Sequence, residues 1–567
     1  MAGRRQHAAR ASRDRRARRA APASARAWPA WAARYGAAAG LVLVLLFTAS
    51  VRLRVADVPL ERDEGEYAYA GQLILQGVPP YSLAYNMKFP GTYYAYSAIL
   101  ALFGESARGI HLGLLVVNAA TALVLFLFAR RWLGDLVAAI AAASFAIVSV
   151  DRWIMGVFAH ATHFVLLPAI GGLLLLVDRG SPRRPTRTLA AGALLGLAVL
   201  MKQQAAPFVA LGGAWILWGG WRSGAISRDT WRDVLGLAAG SLLPLGVIAL
   251  VFAAQGVLDR FWFWTFQYAR EYVGEVPLDE AWPAFLMGWS DITRHTWPVW
   301  WLAILGFAAL WLGRWSLDTR VRLTLLAGAS LVSILPGFFF RQHYFILLLP
   351  AAGVLAGVAV ATIDRALARR TGPIAARLIA VGIAVAAIGA YVAAERDYLF
   401  RLSPRDLSRS VYGANPFVEA PEIARYLASR TAPGDRIVVF GSEPEIYFYA
   451  NRRSGTGYIY TYALMEPQPY ASRMQDEMRR EIETSAPNYI VAVLIGASWL
   501  ARPNSDQRII NWYQRYVSSC YEPVGIIDIH SADRSTIRWD HDVQSYTPLS
   551  QNIVQVHRRR DGVCTVK

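Results

Sequence analysis

Cysteine is almost absent, with only Cys520 and Cys564 in 567 residues. That excludes a small protein held together by a disulfide framework. Charge is also scarce: Asp, Glu, Lys and Arg make up 17% of the chain, against about 25% in soluble domains. Acids are the scarcer sign, 40 against 58 bases, which leaves a formal net charge of +18. There is no internal repeat, and composition is neither collagen-like nor that of a disordered chain. Apolar and aromatic residues are plentiful. The chain is 55% hydrophobic, with a mean hydropathy of +0.29 and 20 Trp, 26 Tyr and 23 Phe. An oily chain with excess positive charge points to a membrane protein before a nucleic-acid binder.

The position of the positive charge supports that order. Residues 1–34 carry ten arginines against Asp14, a net +9 in an Ala/Arg-rich tail. The tail is read as a disordered cytoplasmic anchor of topology rather than a nucleic-acid arm. It is not a cleavable signal, because no small-residue cleavage site follows the apolar run 35–51. A membrane crossing needs roughly 20 apolar residues. Candidates lie at 35–53, 107–129, 134–150, 161–177, 187–201, 204–220, 233–254, 296–313, 323–340, 343–362 and 374–394. Residues 92–103 are apolar but short, and are read as an interfacial or re-entrant helix. With the tail inside, the five loops on its side carry a net +10 and the rest of 35–394 carries −2. Counting 92–103 as a span would reverse that sorting, so the positive-inside rule favours eleven spans.

Residues 395–567 differ, with 21 basic and 20 acidic side chains. Helices are expected at 419–429 and 470–484, and strands at 436–440, 489–494, 524–529, 536–539 and 553–556. These make a small α/β domain. The expected organisation is a tail at 1–34, a polytopic helical membrane region at 35–394 with its first outer loop at 54–106, and an extracytoplasmic α/β domain at 395–567. On that side of the membrane a Cys520–Cys564 disulfide is allowed. Two cysteines alone leave it open.

The eleven-span topology places the first loop outside, together with most isolated polar residues. That loop contains Glu61-Arg62-Asp63-Glu64-Gly65-Glu66, four carboxylates in six residues, at the start of a short amphipathic helix. Asp63 is expected in or before the first turn, accepting a backbone N–H. Glu61 and Glu66 are read as caps that face water, and Asp63 and Glu64 as functional. Lys88, Asp151, Arg152, His160, His163, Lys202 and Arg341 with His343 collect on the same face. Lys202 and Arg341 end apolar runs, and charges at that depth usually pair or line a cavity. His160 and His163 are spaced i, i+3, but zinc would need a third ligand that the sequence does not clearly offer. A hydrogen-bonding or capping role is preferred. Phe261-Trp262-Phe263-Trp264 is read as interfacial belt in preference to a sugar-stacking surface. A carboxylate on the outer surface can accept a proton from a hydroxyl, and nearby cations can stabilise a departing phosphate. Together they suit group transfer from a lipid phosphate.

Arg62-Asp63-Glu64-Gly65-Glu66-Tyr67-Ala68-Tyr69 resembles the Asp-Glu motif in the first outer loop of GT-C glycosyltransferases. The relevant branch (glycosyltransferase family 39-like) holds protein O-mannosyltransferases and the aminoarabinose and galacturonic acid transferases of lipid A. Met87-Lys88-Phe89-Pro90-Gly91-Thr92-Tyr93-Tyr94 is similar to that branch's Lys-Pro-Pro-like loop. Leu200-Met201-Lys202-Gln203 and Phe340-Arg341-Gln342-His343-Tyr344-Phe345 also resemble recurring family segments. Phe89, where a proline is common, and Gly65, after the Asp-Glu pair, depart from the pattern.

The resemblance implies a polyprenyl-phosphate sugar donor and an inverting transfer to a glycan, lipid or protein on the extracytoplasmic face of the plasma membrane. It implies Asp63 as catalytic base, with Glu64 orienting the site. Lys88, Arg152, Lys202, Arg341, His343 and Tyr344 would bind the phosphate or sugar. No cofactor is certain, and a divalent metal stays open. The alternatives are a polymerase or ligase of lipid-diphosphate oligosaccharides, or a lipid flippase.

Overall fold

The computed structural model describes residues 30–177, 185–561 and 564; the arginines of 1–29 and Arg179, Arg183 and Arg184 lie outside these residues. A helix stands at each of the eleven apolar segments, from Ala30–Arg54 to Pro373–Ala394. Among the described residues, five helical stretches are long and apolar enough to cross a bilayer: Tyr35–Arg54, Ala107–Leu133, Arg228–Ala254, Gln342–Thr371 and Pro373–Ala394. The pair Leu278–Thr293 and Trp297–Leu312, bent by 113°, makes a sixth if taken as one span. The others are short. Asp135–Val148 has 14 residues, about 21 Å of helix at 1.5 Å per residue against a hydrocarbon core of about 30 Å. The bundle packs closely through small residues. A Cβ on Gly196 would lie 2.1 Å from the carbonyl oxygen of Ser241, so only glycine allows Pro185–Met201 to approach Arg228–Ala254.

The segment 92–103 is the helix Gly91–Phe103. It packs against the first-loop helix Arg62–Leu75, with Tyr67 meeting Tyr93 and Tyr96 at ring distances of 6.1 and 5.4 Å.

The C-terminal region builds one six-stranded sheet in the order β2-β1-β3-β6-β4-β5. Its strands are β1 Arg436–Phe440, β2 Arg453–Ser454, β3 Tyr489–Leu494, β4 Tyr521–Ile529, β5 Ser535–Trp539 and β6 Ile553–Arg559. β2, β1 and β3 run parallel, while β6, β4 and β5 extend the sheet antiparallel. β1 and β3 read as near-continuous apolar runs, and successive residues of both are buried, so both faces are covered. The helix Arg508–Cys520, which the sequence reading omits, buries Ile509, Trp512, Tyr513, Tyr516 and Val517 along one face. Cys520 and Cys564 form a disulfide, which ties the end of that helix to the end of the chain.

This sheet domain packs directly on the first loop. Tyr67, Tyr69 and Leu73 share a core with Ile446, Tyr447, Phe448 and Tyr458. Tyr69 stacks on Tyr447 at 5.1 Å, and its hydroxyl accepts from the Ser454 N–H at 2.7 Å. The contact also explains Gly65, where a Cβ would lie 2.5 Å from the backbone nitrogen of Glu445. Gly65→Ala should therefore lower the thermal unfolding midpoint of the purified protein, by an amount equivalent to about 1–3 kcal/mol. An unchanged midpoint would mean that the two backbones can separate at no cost.

Candidate active site

The first-loop helix begins with a reciprocal cap. The Glu64 N–H donates to Glu61 Oε1 at 2.9 Å, and the Glu61 N–H donates to Glu64 Oε2 at 3.2 Å. Glu61 is thus the cap, and Asp63, expected to accept a backbone N–H, accepts from side chains instead. This frees the Asp63 side chain to point into a cavity of about 260 Å³. Asp63, Lys88, Lys202, Arg341, His343 and Tyr344 all line that cavity.

Two expected members lie elsewhere. Glu64 is fully buried beneath the loop, where it accepts from the Ala159 N–H and sits 3.0 Å from His111 Nε2. It joins the first loop to the bundle and does not reach the cavity. Arg152 pairs with Glu395 at 3.0 Å and lies over the Trp153 and Tyr398 rings, tying the loop after Asp135–Val148 to the chain just beyond Pro373–Ala394. The water-facing reading of Glu66 also fails. Its carboxylate is fully buried, 2.6 Å from Lys88 Nζ and 2.6 Å from the Tyr93 hydroxyl. Glu61 is a cap as expected, but it too is buried, and burial lifts its carboxyl to about 7.

Asp63 Oδ1 accepts from Lys88 Nζ at 2.8 Å and from the Tyr460 hydroxyl at 2.9 Å. Burial disfavours its charge, but Lys88 and His160 outweigh burial and hold the carboxyl well below the usual range. Lys88 lies over Tyr67 and Tyr460 at 4.6 and 5.3 Å from the ring centroids, as cation–π contact favours. Lys202 and Arg341 differ from Lys88. Among the described residues neither has a carboxylate partner, and each instead lies over an aromatic ring, Lys202 on Tyr344 at 4.3 Å and Arg341 on Phe339 at 5.4 Å. Burial pushes the Lys202 ammonium down to about 7; Asp63 opposes the shift, and Lys88 and Arg341 reinforce it.

His160 and His343, far apart in sequence, stack at 4.1 Å. With Asp63 they present three ligand atoms within 4.8 Å of one another. Both ring nitrogens of His160 and Nδ1 of His343 are buried without a hydrogen-bond partner, so this donor set fits a divalent transition metal. His163 takes no part, lying 3.3 Å from Asn118. The opposite wall of the cavity comes from the C-terminal domain, through Tyr460, Tyr462 and Glu466. The sequence reading found no motif there. The aromatic run Tyr458-Ile459-Tyr460-Thr461-Tyr462 was the available signal. Glu466 accepts from the Tyr268 hydroxyl, and burial beside Glu275 lifts its carboxyl to about 7.

Residues 87–249 match the family model described as dolichyl-phosphate-mannose-protein mannosyltransferase. An undecaprenyl phosphate-α-4-amino-4-deoxy-L-arabinose arabinosyl transferase of Pseudomonas aeruginosa (strain UCBPP-PA14) is 28% identical over 282 residues, covering 44% of this chain and 49% of that protein. The chain thus matches about half the length of such curated relatives. Among solved structures, ArnT of Cupriavidus metallidurans bound to undecaprenyl phosphate aligns over 88% of this chain and 97% of its own, at a TM-score of 0.54 and 16% identity. The oligosaccharyltransferase AglB of Archaeoglobus fulgidus, in complex with an inhibitory peptide and a dolichol-phosphate, aligns over 92% and 76%, at a TM-score of 0.53 and 14% identity.

Lys88 and Lys202 line one cavity but do different work, and two substitutions separate them. Lys88→Met strands two buried carboxylates and should destabilise the protein by about 3–5 kcal/mol. Lys202→Met strands none and should stay within about 1 kcal/mol of the parent. Thermal unfolding in detergent checks both, and equal losses would contradict the assignment.

Proposed function

We propose that this chain, which has the GT-C fold, is an integral-membrane glycosyltransferase that moves one sugar from a polyprenyl phosphate to an acceptor on the extracytoplasmic face, with inversion. The observation that carries the reading is the meeting, in one cavity, of the ionised Asp63 with two cations that no carboxylate holds, Lys202 and Arg341. The transferase of Pseudomonas aeruginosa and the undecaprenyl phosphate bound to ArnT of Cupriavidus metallidurans agree with it.

In this reading the acceptor oxygen bonds to the anomeric carbon as that carbon's bond to the phosphate oxygen breaks. The donor phosphodiester carries one negative charge and the departing polyprenyl phosphate gains a second. Lys202 and Arg341 stabilise that developing charge. The acceptor's proton passes to Asp63. A carboxylate held so far below its usual pKa is a weak base for a resting hydroxyl, so the proton moves late, when the new bond has made the hydroxyl acidic. Lys88 keeps Asp63 ionised, and His343 and Tyr344 flank the phosphate side. Asp63, His160 and His343 would hold a divalent metal, which would add Lewis-acid charge beside the reacting phosphate or sugar.

All eleven apolar helices cross the plasma membrane in this proposal, the shorter ones where the bundle thins, with the N-terminus cytoplasmic. The Cys520–Cys564 disulfide supports an oxidising location for the C-terminal domain. The acceptor is a glycan, lipid or protein of the envelope. The fold shared with an oligosaccharyltransferase favours one second reading, transfer of a lipid-diphosphate-linked oligosaccharide.

Purified protein should move radiolabel from a polyprenyl-monophosphate sugar to an envelope fraction, and Asp63→Asn should lower the rate by about 100-fold or more. Turnover of diphosphate donors alone would favour the second reading. Wild-type rates in Asp63→Asn would remove the mechanism. The acidity of Lys202 sets a further expectation. Its charge is present below about 7 and lost as pH rises through that value, so kcat/KM for the donor should fall on the alkaline side with an apparent pKa near 7. In Lys202→Arg, whose guanidinium stays charged, that limb should disappear.

A further inference from the structure

Tyr460 reaches Asp63 across 397 residues of sequence, and the bond is one link in a closed ring. Next to Asp63, Arg62 donates through Nη2 to Glu443 Oε1 at 2.7 Å and through Nε to the Ser442 carbonyl at 2.5 Å. Glu443 Oε2 accepts from Ser498 Oγ at 2.7 Å and from the Ser442 N–H at 2.8 Å. Ser442 Oγ donates to the Ser498 carbonyl at 2.6 Å and accepts from the Thr461 N–H at 3.0 Å. Thr461 Oγ1 donates to the same Ser498 carbonyl at 2.9 Å. The residue before Thr461 is Tyr460, whose hydroxyl returns to Asp63 Oδ1 at 2.9 Å. Ser442, Glu443, Thr461 and Ser498 are fully buried.

We infer that Glu443 and Tyr460 are positioning residues for Asp63, which makes the C-terminal domain part of the catalytic unit rather than an appended module. The inference rests on the reading of Asp63 as the carboxylate that acts on the acceptor. Its physical basis is rigidity. Lys88 is a flexible ammonium arm that fixes the charge of Asp63 but not its direction. Tyr460 is a stiff aromatic arm whose backbone is locked to Glu443, and Glu443 is locked to Arg62, so both ends of the Arg62–Asp63 dipeptide attach to one buried network. A fully satisfied buried network of this kind holds a single geometry. A shift of about 1 Å at a reacting group can cost about 100-fold in rate.

The test compares Tyr460→Phe, Glu443→Gln and Arg430→Ala with the parent in transfer from a radiolabelled polyprenyl-phosphate sugar. Hydrogen exchange across residues 61–66 is read in parallel. Arg430 pairs with Asp540 on the exposed side of the domain and serves as the control. Tyr460→Phe keeps the ring over Lys88 and loses only the hydroxyl. It should lower kcat about tenfold or more, leave donor KM within about twofold, and speed exchange across 61–66. Glu443→Gln should do the same, and Arg430→Ala should change neither readout. Wild-type kcat and exchange in Tyr460→Phe would overturn the inference, as would a loss confined to the yield of folded protein. If the parent itself transfers nothing from a monophosphate donor, the functional reading fails, and the exchange data alone decide whether the ring holds Asp63.

Discussion

Lys88 stands between Asp63 and Glu66 at 2.8 and 2.6 Å, and one ammonium cannot neutralise two carboxylates. Much of the structure around the first loop answers that imbalance. In water it would matter little, but the first loop is covered by the bundle below and the sheet domain above. Each residual charge therefore needs a donor. Glu66 takes the Tyr93 hydroxyl from the short helix Gly91–Phe103. Asp63 takes the Tyr460 hydroxyl from the sheet domain and faces His160 from the bundle. Gly65 lets the sheet domain come close enough for that to happen.

The same accounting sorts the basic residues around the first loop and the cavity. Arg62, Lys88 and Arg152 each have a buried carboxylate within 3 Å, and they hold the loops and the sheet domain together. Lys202 and Arg341 have aromatic rings instead, and both face the cavity. Desolvating a cation without a counter-ion is costly, so a site that keeps two is built to receive negative charge. In the proposed function a lipid phosphate at the aqueous edge of the apolar bundle supplies it.

Patterns that act within a short window were legible in the sequence. Apolar runs gave helices at all eleven sites, and dense β-branched runs gave β1 and β3 with their observed ends. β2, two residues long, leaves no such pattern, whereas the helix Arg508–Cys520 does carry a regular apolar spacing. For the site, depth in an apolar run picked out Lys202 and Arg341, whereas Arg152 came in only by its place on the same face, because its buried partner Glu395 is visible only in three dimensions. Glu66 read as a water-facing cap because its partners Lys88 and Tyr93, 22 and 27 residues on, meet it only once the first loop folds back on itself. The third member of the His160 cluster and the wall formed by Tyr460, Tyr462 and Glu466 were likewise out of reach.

The central claim is that the two unpaired cations define a lipid-phosphate site beside an ionised Asp63. A structure of the protein with an undecaprenyl-phosphate sugar bound tests it most directly. The account predicts the phosphate within hydrogen-bonding distance of Lys202 and Arg341, with the anomeric carbon on the Asp63 side and open toward the Tyr460 wall. A phosphate seated away from both cations, with Asp63 still closed off by Lys88 and Tyr460, would contradict it.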